Sequence, residues 1–124
     1  AITVVEGDMG DPAVVEEVFA NHEIGAVIHF AAFINVGESV KDPLKYYRNN
    51  TCSSRTLLEA AQKHGVKHFV FSSTAAVYGI PPGGKAGEDS PNVPINPYGT
   101  SKLMTEWMLR DLALAGGPSY GALR

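Results

Sequence analysis

Short apolar runs and longer amphipathic stretches alternate along the chain. Residues 2–5 form a short β-branched run, and residues 26–30 are too continuously apolar for a strand with one exposed face. Residues 68–71 have the same character, and residues 120–123 resemble the start of another strand. The pattern therefore predicts four short strands.

Three longer stretches begin with residues that favour helix starts. Asp-Pro pairs at 11–12 and 42–43 open two of them, the second ending at Gly65, and Asn-Pro at 96–97 opens the third. Strands that alternate with helices indicate an α/β fold, part of a doubly wound parallel sheet with helices on both faces. The proline- and glycine-rich residues 79–96 form a loop long enough to act as a lid. The apolar residues expected on the buried face of the third helix are Leu103, Met104, Trp107, Met108 and Leu112.

Composition narrows the range of functions. With 124 residues the chain has the size of one small domain. A net charge of −3 and a pI near 5.7 argue against binding to nucleic acid or to anionic membranes. No apolar run approaches the ~20 residues that span a bilayer. Cys52 is the sole cysteine, which excludes an internal disulfide and favours a cytoplasmic protein, and the four histidines lack metal-ligand spacing, so we expect no metal.

The most informative pair of residues lies at the start of the third helix. If Asn96 caps this helix, Tyr98 and Lys102 lie one turn apart on the same face. A phenol titrates near pH ~10, so proton transfer near neutrality needs a drop of roughly three units, or ~4 kcal/mol. One positive charge at about 4 Å in an effective dielectric near 20 supplies approximately that much. The spacing is therefore compatible with a proton-transfer pair, although by itself it is more typical of a solvated helix start. The hydroxyl cluster at 72–74 and the proline-rich segment before the helix favour proton transfer.

The carboxyl ends of the predicted strands indicate where a ligand would bind, because parallel sheets bind ligands outside these ends. Asp8, the small pair Ala31–Ala32 and the hydroxyl cluster 72–74 all follow strands. The segment 7–13 nominally fits a phosphate-binding glycine turn, but its carboxylates would repel a pyrophosphate. Asp8 is better suited to accept hydrogen bonds from an adenine amine or a ribose. Asn49 and Asn50 could reach the cleft or face water, and the sequence leaves both alternatives open.

These residues resemble the extended short-chain dehydrogenases/reductases, and among them the bacterial UDP-sugar 4-epimerases that interconvert UDP-glucose and UDP-galactose. The likeness runs over essentially the whole chain. Its most specific part is Gly37-Glu38-Ser39 followed by Tyr46-Tyr47 and Asn49-Asn50. The other matching segments are His29-Phe30-Ala31-Ala32, Phe71-Ser72-Ser73-Thr74, Val77-Tyr78-Gly79 and Asn96-Pro97-Tyr98-Gly99 through Lys102.

The resemblance implies an isomerase that uses bound NAD and passes through a transient 4-keto sugar. Tyr98 would be the catalytic base on the sugar 4-hydroxyl, Lys102 would bind the nicotinamide ribose and lower the pKa of Tyr98, and Thr74 would bridge the sugar oxygen and Tyr98. The resemblance also implies a homodimer, with the helices from 42–43 and 96–97 as contact elements. The further cofactor contacts it implies are Asp8 and Met9 at adenine, Phe30, Ala31, Ala32 and Asn49 along the dinucleotide, and Ser72 and Ser73 on the nicotinamide side.

The resemblance also implies that residues 1–124 are the central and C-terminal part of an NAD-binding Rossmann domain. The glycine-rich turn would lie upstream of Ala1 and the substrate domain downstream of Arg124, so we expect the isolated piece to be inactive. Many family members carry a cofactor-binding lysine where this chain has Ile34.

Three alternatives share this fold. UDP-pentose or UDP-glucuronate 4-epimerases have the same half of the protein. A 4,6-dehydratase needs an acid–base pair after the threonine, where this chain has Ala75-Ala76. A non-catalytic NAD-binding module would usually lack the tyrosine or the lysine.

Overall fold

The computed structural model describes all 124 residues and contains a three-stranded parallel sheet. Strands β1 (Ala26–His29), β2 (His68–Ser72) and β3 (Ser119–Leu123) lie side by side in that order. In register, Ala26 lies beside His68, and His68 lies beside Ser119. The open parallel sheet with intervening helices confirms the predicted α/β, Rossmann-like class.

Five helices connect and flank the strands. Helix α1 (Pro12–Asn21) begins at the predicted Asp-Pro pair, and α5 (Pro97–Leu114) begins at the predicted Asn-Pro pair. The helix predicted from residue 42 is present, but a π-helical turn, Tyr47–Cys52, divides it into α3 (Pro43–Tyr46) and α4 (Ser53–Lys63). The sequence pattern did not predict α2, Val36–Lys41. None of the helices combines the length and apolar character needed to cross a membrane.

The buried core lies between the sheet and helices α1, α4 and α5. Phe69 and Phe71 project from β2 into it and are each 1% exposed. They pack with Phe19 from α1, Leu58 from α4 and Leu109 from α5. One layer of helices therefore covers the sheet, and apolar side chains outside this core remain exposed to solvent.

Residues 2–5 do not form the predicted strand. Ile2 and Val4 are 92% and 85% exposed, and β1 pairs only with β2. A β-branched run becomes a strand only where a neighbouring strand can pair with it, and this segment has no such neighbour here. Ile28 and Phe30 are also exposed, although the pattern predicted a buried strand. Side chains alternate along a strand, and Ile28 lies on the face opposite to Val27 and His29, which face the core.

The buried face of α5 also differs from the prediction. Leu103 is buried, but Met104 and Trp107 are substantially exposed. The face turned toward the sheet instead carries polar side chains, because this helix runs beside the polar segment that follows β2. The buried polar residues on this face are Ser101, Lys102, Thr105 and Glu106.

Candidate active site

The first turn of α5 is fixed by a cap and by close packing. The Asn96 side chain accepts a hydrogen bond from the Gly99 amide at 2.8 Å, as predicted for the cap. A Cβ atom at Gly99 would lie 2.8 Å from the carbonyl oxygen of Ala76, which belongs to the 3₁₀ helix Ala75–Tyr78. Only glycine allows this approach, and it brings Tyr98 close to the segment that follows β2.

Lys102 lies one turn beyond Tyr98 and is buried, with 3% of its surface exposed. Its Nζ donates to the carbonyl oxygen of Ser72 at 2.8 Å and lies 4.8 Å from the ring centroid of Phe71. Burial lowers the pKa of Lys102 from its ordinary 10.5 to about 8, because the charged form loses hydration. The lysine therefore keeps a desolvated ammonium at the carboxyl edge of the sheet near neutral pH.

Tyr98 is half-buried and is held through its backbone by α2. Its amide donates to the Ser39 hydroxyl at 3.1 Å, and that hydroxyl donates to the Val36 carbonyl at 2.7 Å. Ser39 is completely buried. Helix α2, which contains the Gly-Glu-Ser element of the family, thus contacts the first turn of α5 directly.

Thr74 follows β2 and begins the 3₁₀ helix. Its hydroxyl accepts a hydrogen bond from the Ala76 amide at 3.1 Å, and the residue is half-buried. Ser72 contributes the carbonyl that binds Lys102. The Ser73 hydroxyl donates to the buried Glu106 carboxylate, so this side chain is committed to the interior of the protein.

A second region, which we call the adenine-side cleft, lies beside the end of β1. It has a volume of about 540 Å³. Five residues expected to contact the dinucleotide line it together, whereas Phe30 does not, and Phe33 contributes instead. The lining residues are Glu6, Gly7, Asp8, Met9, Ala31, Ala32, Phe33, Asn49 and Ser53.

The chain matches the NAD dependent epimerase/dehydratase family over residues 1–124. It belongs to this family. The chain is 56% identical over 117 residues to a UDP-glucose 4-epimerase of Azospirillum brasilense, a match that covers 94% of this chain and 34% of the relative. The chain thus spans about a third of the length of the relatives that it matches.

Two solved structures of epimerases show the same fold. The UDP-glucose 4-epimerase of Brucella ovis in complex with NAD is 48% identical and superimposes with a TM-score of 0.92, covering 97% of this chain and 37% of that one. The UDP-Glc/GlcNAc 4-epimerase of Campylobacter jejuni is 46% identical, with a TM-score of 0.93 and the same coverage.

Two buried polar residues of this epimerase-family chain were not predicted as parts of the site. The Asn50 side chain accepts from the Phe33 amide at 2.8 Å and donates to the Phe33 carbonyl at 2.9 Å and to the Ser101 hydroxyl at 3.1 Å. It thereby connects the π-helical turn to α5 and to the loop after β1, so Asn50 neither lines the cleft nor faces water, the two alternatives that the sequence left open. Its neighbour Asn49 lines the adenine-side cleft.

Tyr46 is the second such residue. Its hydroxyl donates to the Glu38 carboxylate at 2.8 Å and accepts from the Asn35 amide at 3.0 Å. Burial and the neighbouring Glu38 raise the pKa of Tyr46, so it is a neutral structural phenol. The family signature that includes Glu38 and Tyr46 could have indicated this pair, but not their contact.

His29, at the end of β1, is buried against Phe71, and its Nε2 lies 2.9 Å from the Ser54 hydroxyl. Burial, with the nearby Lys102 charge, lowers the pKa of His29 to about 4. The ring is therefore neutral near pH 7, and Lys102 is the cation on this side of the sheet.

Proposed function

We propose that this chain is the catalytic part of a longer NAD-dependent UDP-sugar 4-epimerase, called the parent enzyme below, which interconverts UDP-glucose and UDP-galactose. The observation that carries the proposal is the arrangement of Tyr98 one helical turn from a buried Lys102, beside the segment that bears Thr74. The identity to UDP-glucose 4-epimerases supports the same reading.

The adenine-side cleft fits a dinucleotide. Ala31 and Ala32 present only methyl groups, which lets a flat ligand approach the backbone. One carboxylate oxygen of Asp8 accepts from the Gly10 amide at 2.8 Å, and the other is available to an adenine amine or a ribose hydroxyl. We propose that Asp8 and Met9 contact adenine and that Ala31, Ala32 and Asn49 line the path toward the nicotinamide.

We propose that Lys102 holds the nicotinamide ribose. An ammonium group has three donors, and the Ser72 carbonyl takes one of them. The remaining two can reach ribose hydroxyls, and the positive charge favours the phenolate form of Tyr98. The cation therefore has both a binding role and an electrostatic role in this proposal.

Tyr98 removes the proton of the sugar 4-hydroxyl, directly or through the Thr74 hydroxyl. When bound, NAD would supply the acceptor for the C4 hydride and the donor that returns it to the opposite face of the sugar carbon. Tyr98 then gives its proton back to the C4 oxygen, so that no net oxidant or reductant is consumed. The chain's own contribution is to hold this one proton and to keep the phenol and Thr74 in line with the sugar oxygen.

A dehydratase reaction is less well supported. Eliminating water requires an acid–base pair after Thr74, and Ala75 and Ala76 have no proton to offer. We therefore assign epimerisation rather than elimination to this site.

We also propose that the parent enzyme is a homodimer that uses α4 and α5. A shallow groove of about 150 Å³ between these helices is lined by Leu58, Met108 and Leu112 among others. Light scattering on the parent enzyme tests this, with twice the monomer mass expected and a monomeric mass contradicting it.

The function is tested by incubating the purified parent enzyme with UDP-galactose, UDP-N-acetylgalactosamine, UDP-arabinose and UDP-glucuronate in separate reactions. We expect inversion at C4, fastest for UDP-galactose, without added NADH. A 4-keto-6-deoxy product would indicate a dehydratase. If another UDP-sugar is inverted fastest, that sugar and not UDP-galactose is the preferred substrate. Failure to convert any of them would contradict the proposal.

A further inference from the structure

Helix α5 carries one buried carboxylate that the mechanism above does not use. Glu106 is 6% exposed and lies one turn beyond Lys102, on the helix that also bears Tyr98. Burying a carboxylate is costly unless it is hydrogen-bonded and its charge is compensated. Its partners therefore indicate what this position stabilises.

The first partner of Glu106 is Ser73, whose hydroxyl donates to Oε1. Ser73 lies between Ser72 and Thr74, both of which belong to the candidate site. On one side, the Ser72 carbonyl accepts from Lys102, and on the other side Thr74 carries the hydroxyl assigned to proton transfer. The hydrogen bond to Glu106 thus fixes the backbone immediately before Thr74.

The second partner is Arg124, which follows β3. Its Nε lies 3.1 Å and 3.2 Å from the two oxygens of Glu106, and its Nη2 lies 2.5 Å from Oε2. This contact raises the pKa of Arg124, so the guanidinium stays charged and compensates the carboxylate. The side chain of Arg124 is itself only 21% exposed.

Arg124 extends the contact to the other side of Thr74. Its Nη1 donates to the Tyr78 hydroxyl at 3.1 Å, and its guanidinium lies 5.1 Å from the centre of the Tyr78 ring. Tyr78 is the last residue of the 3₁₀ helix that Thr74 caps. One carboxylate therefore reaches both ends of the segment 73–78, directly through Ser73 and indirectly through Arg124.

We propose that Glu106 is a positioning residue that holds the segment 73–78, and with it the Thr74 hydroxyl, at a fixed height against Tyr98 and Lys102. The proposal rests on the proposed function, because it gives Thr74 a part in proton transfer. A displacement of about 1 Å in such a group can lower the rate by ~10²-fold without changing how the substrate binds. Glu106 touches neither the sugar nor the cofactor in this account.

Three single substitutions in the parent enzyme remove the contacts one at a time: Glu106→Gln, Ser73→Ala and Tyr78→Phe. Glutamine keeps the shape but presents an amide donor to a guanidinium, so we expect kcat to fall ~10²-fold. Ser73→Ala and Tyr78→Phe each remove only one of the two contacts that hold the segment, and each should lower kcat ~10-fold. In all three, KM should stay within about twofold of the unmodified enzyme and the bound NAD per subunit should be unchanged.

Two control variants distinguish the effect of positioning from the effects of lost stability and of a lost carboxylate charge. Glu16→Gln makes the same chemical change on the surface of α1, where Glu16 accepts from Lys63 at 2.7 Å, and should leave kcat unchanged. Leu109→Val removes one buried methylene from the core face of α5 and should lower the melting temperature while leaving kcat at 25 °C unchanged.

Amide hydrogen exchange adds a readout that does not need turnover. If Glu106 holds the segment, exchange within residues 74–78 should be faster in Glu106→Gln than in Leu109→Val at equal stability. A double variant, Ser73→Ala with Glu106→Gln, should lose no more activity than Glu106→Gln alone.

The proposal is overturned if folded Glu106→Gln keeps its kcat, or if losses of kcat follow losses of melting temperature in the same proportion as in Leu109→Val. Should Glu106→Gln fail to fold, unchanged kcat in both Ser73→Ala and Tyr78→Phe overturns it, and reduced kcat in both supports it. If the unmodified parent enzyme converts no UDP-sugar, the proposed function fails, and hydrogen exchange alone then decides whether Glu106 holds the segment.

Discussion

The two candidate functional regions of this chain are built in different ways. The catalytic region around Tyr98 and Lys102 is enclosed by hydrogen bonds from α2, α5 and the end of β2, and Lys102 is 3% exposed. The adenine-side cleft is lined mainly by loop residues, with Asn49 from the π-helical turn and Ser53 from α4, and Asp8 and Ala31 are exposed. The first region is thus preorganised by contacts within the chain, whereas the second offers a surface that a ligand completes.

Because of this difference, we expect a substitution to act differently in each region. In the catalytic region it should change the rate of the chemical step, because the groups there are already held in place. In the cleft it should change mainly how tightly the cofactor binds, because few protein–protein contacts depend on it.

Among substitutions of the residues around Tyr98, the largest effect is expected from Lys102→Met in the parent enzyme. The substitution removes the buried cation that lies one helical turn from Tyr98 and donates to the Ser72 carbonyl, so kcat should fall about 10³-fold. Steady-state kinetics with UDP-galactose measure this. Lys67→Met, at an exposed lysine just before β2, is the matched control and should keep normal activity. Turnover in Lys102→Met within tenfold of normal would break the distinction between the two regions.

A smaller effect is expected from Gly99→Ala. The new methyl group would lie 2.8 Å from the Ala76 carbonyl oxygen and 3.1 Å from the Pro94 Cβ, so α5 must move away from the 3₁₀ helix. We expect a loss of about 1–3 kcal/mol in the free energy of unfolding and a fall in kcat of roughly tenfold. Gly25→Ala, where no atom lies within 4 Å of the added Cβ, serves as control for denaturation and kinetics. Equal behaviour of the two variants would show that the close approach has no influence on the site.

Ala32→Leu should have the opposite signature. A larger side chain in the adenine-side cleft should raise the dissociation constant of NAD about tenfold, while kcat at saturating NAD stays within about twofold. Fluorescence titration of the NAD-depleted parent enzyme gives the dissociation constant. A fall in kcat with unchanged NAD affinity would mean that the cleft belongs to the catalytic region.

A further effect, on stability rather than on activity, is a pH dependence that belongs to Lys102. Its pKa is about 8 in the folded chain and 10.5 ordinarily, so the unfolded chain binds the extra proton between these values. The stability of the unmodified enzyme relative to Lys102→Met should therefore rise as the pH is raised from about 8 to 10.5. Denaturant unfolding at several pH values measures it. A difference that stays constant or falls over this range would contradict the burial of a charged Lys102.

The sequence predicts much of the catalytic region because its signals are local. The cap at Asn96 and the spacing of Tyr98 and Lys102 depend on one helix, and their placement follows once the helix is recognised. The rule that parallel strands end at the same edge predicts the position of Ala31 after β1, and Asp8 lines the same cleft although residues 2–5 form no strand.

Other features depend on partners that the sequence pattern does not identify. The β-branched residues 2–5 need a neighbouring strand, and the short α2 needs Tyr98 as a contact for Ser39. The buried roles of Asn50 and Glu106 arise from hydrogen bonds to residues far along the chain. The buried face of α5 was predicted wrongly, because an amphipathic pattern assigns apolar residues such as Trp107 to the interior, whereas this helix buries polar side chains.

The most direct test of the central claim is Tyr98→Phe in the parent enzyme, with UDP-galactose conversion and bound NAD measured in the same preparation. The substitution removes one hydroxyl and keeps the ring, so the fold and the adenine-side cleft should be unchanged. We predict that turnover falls by a factor of about 10³ or more while NAD remains bound in normal amount. Turnover near the normal rate with NAD bound would contradict the assignment of Tyr98 as the group that carries the proton.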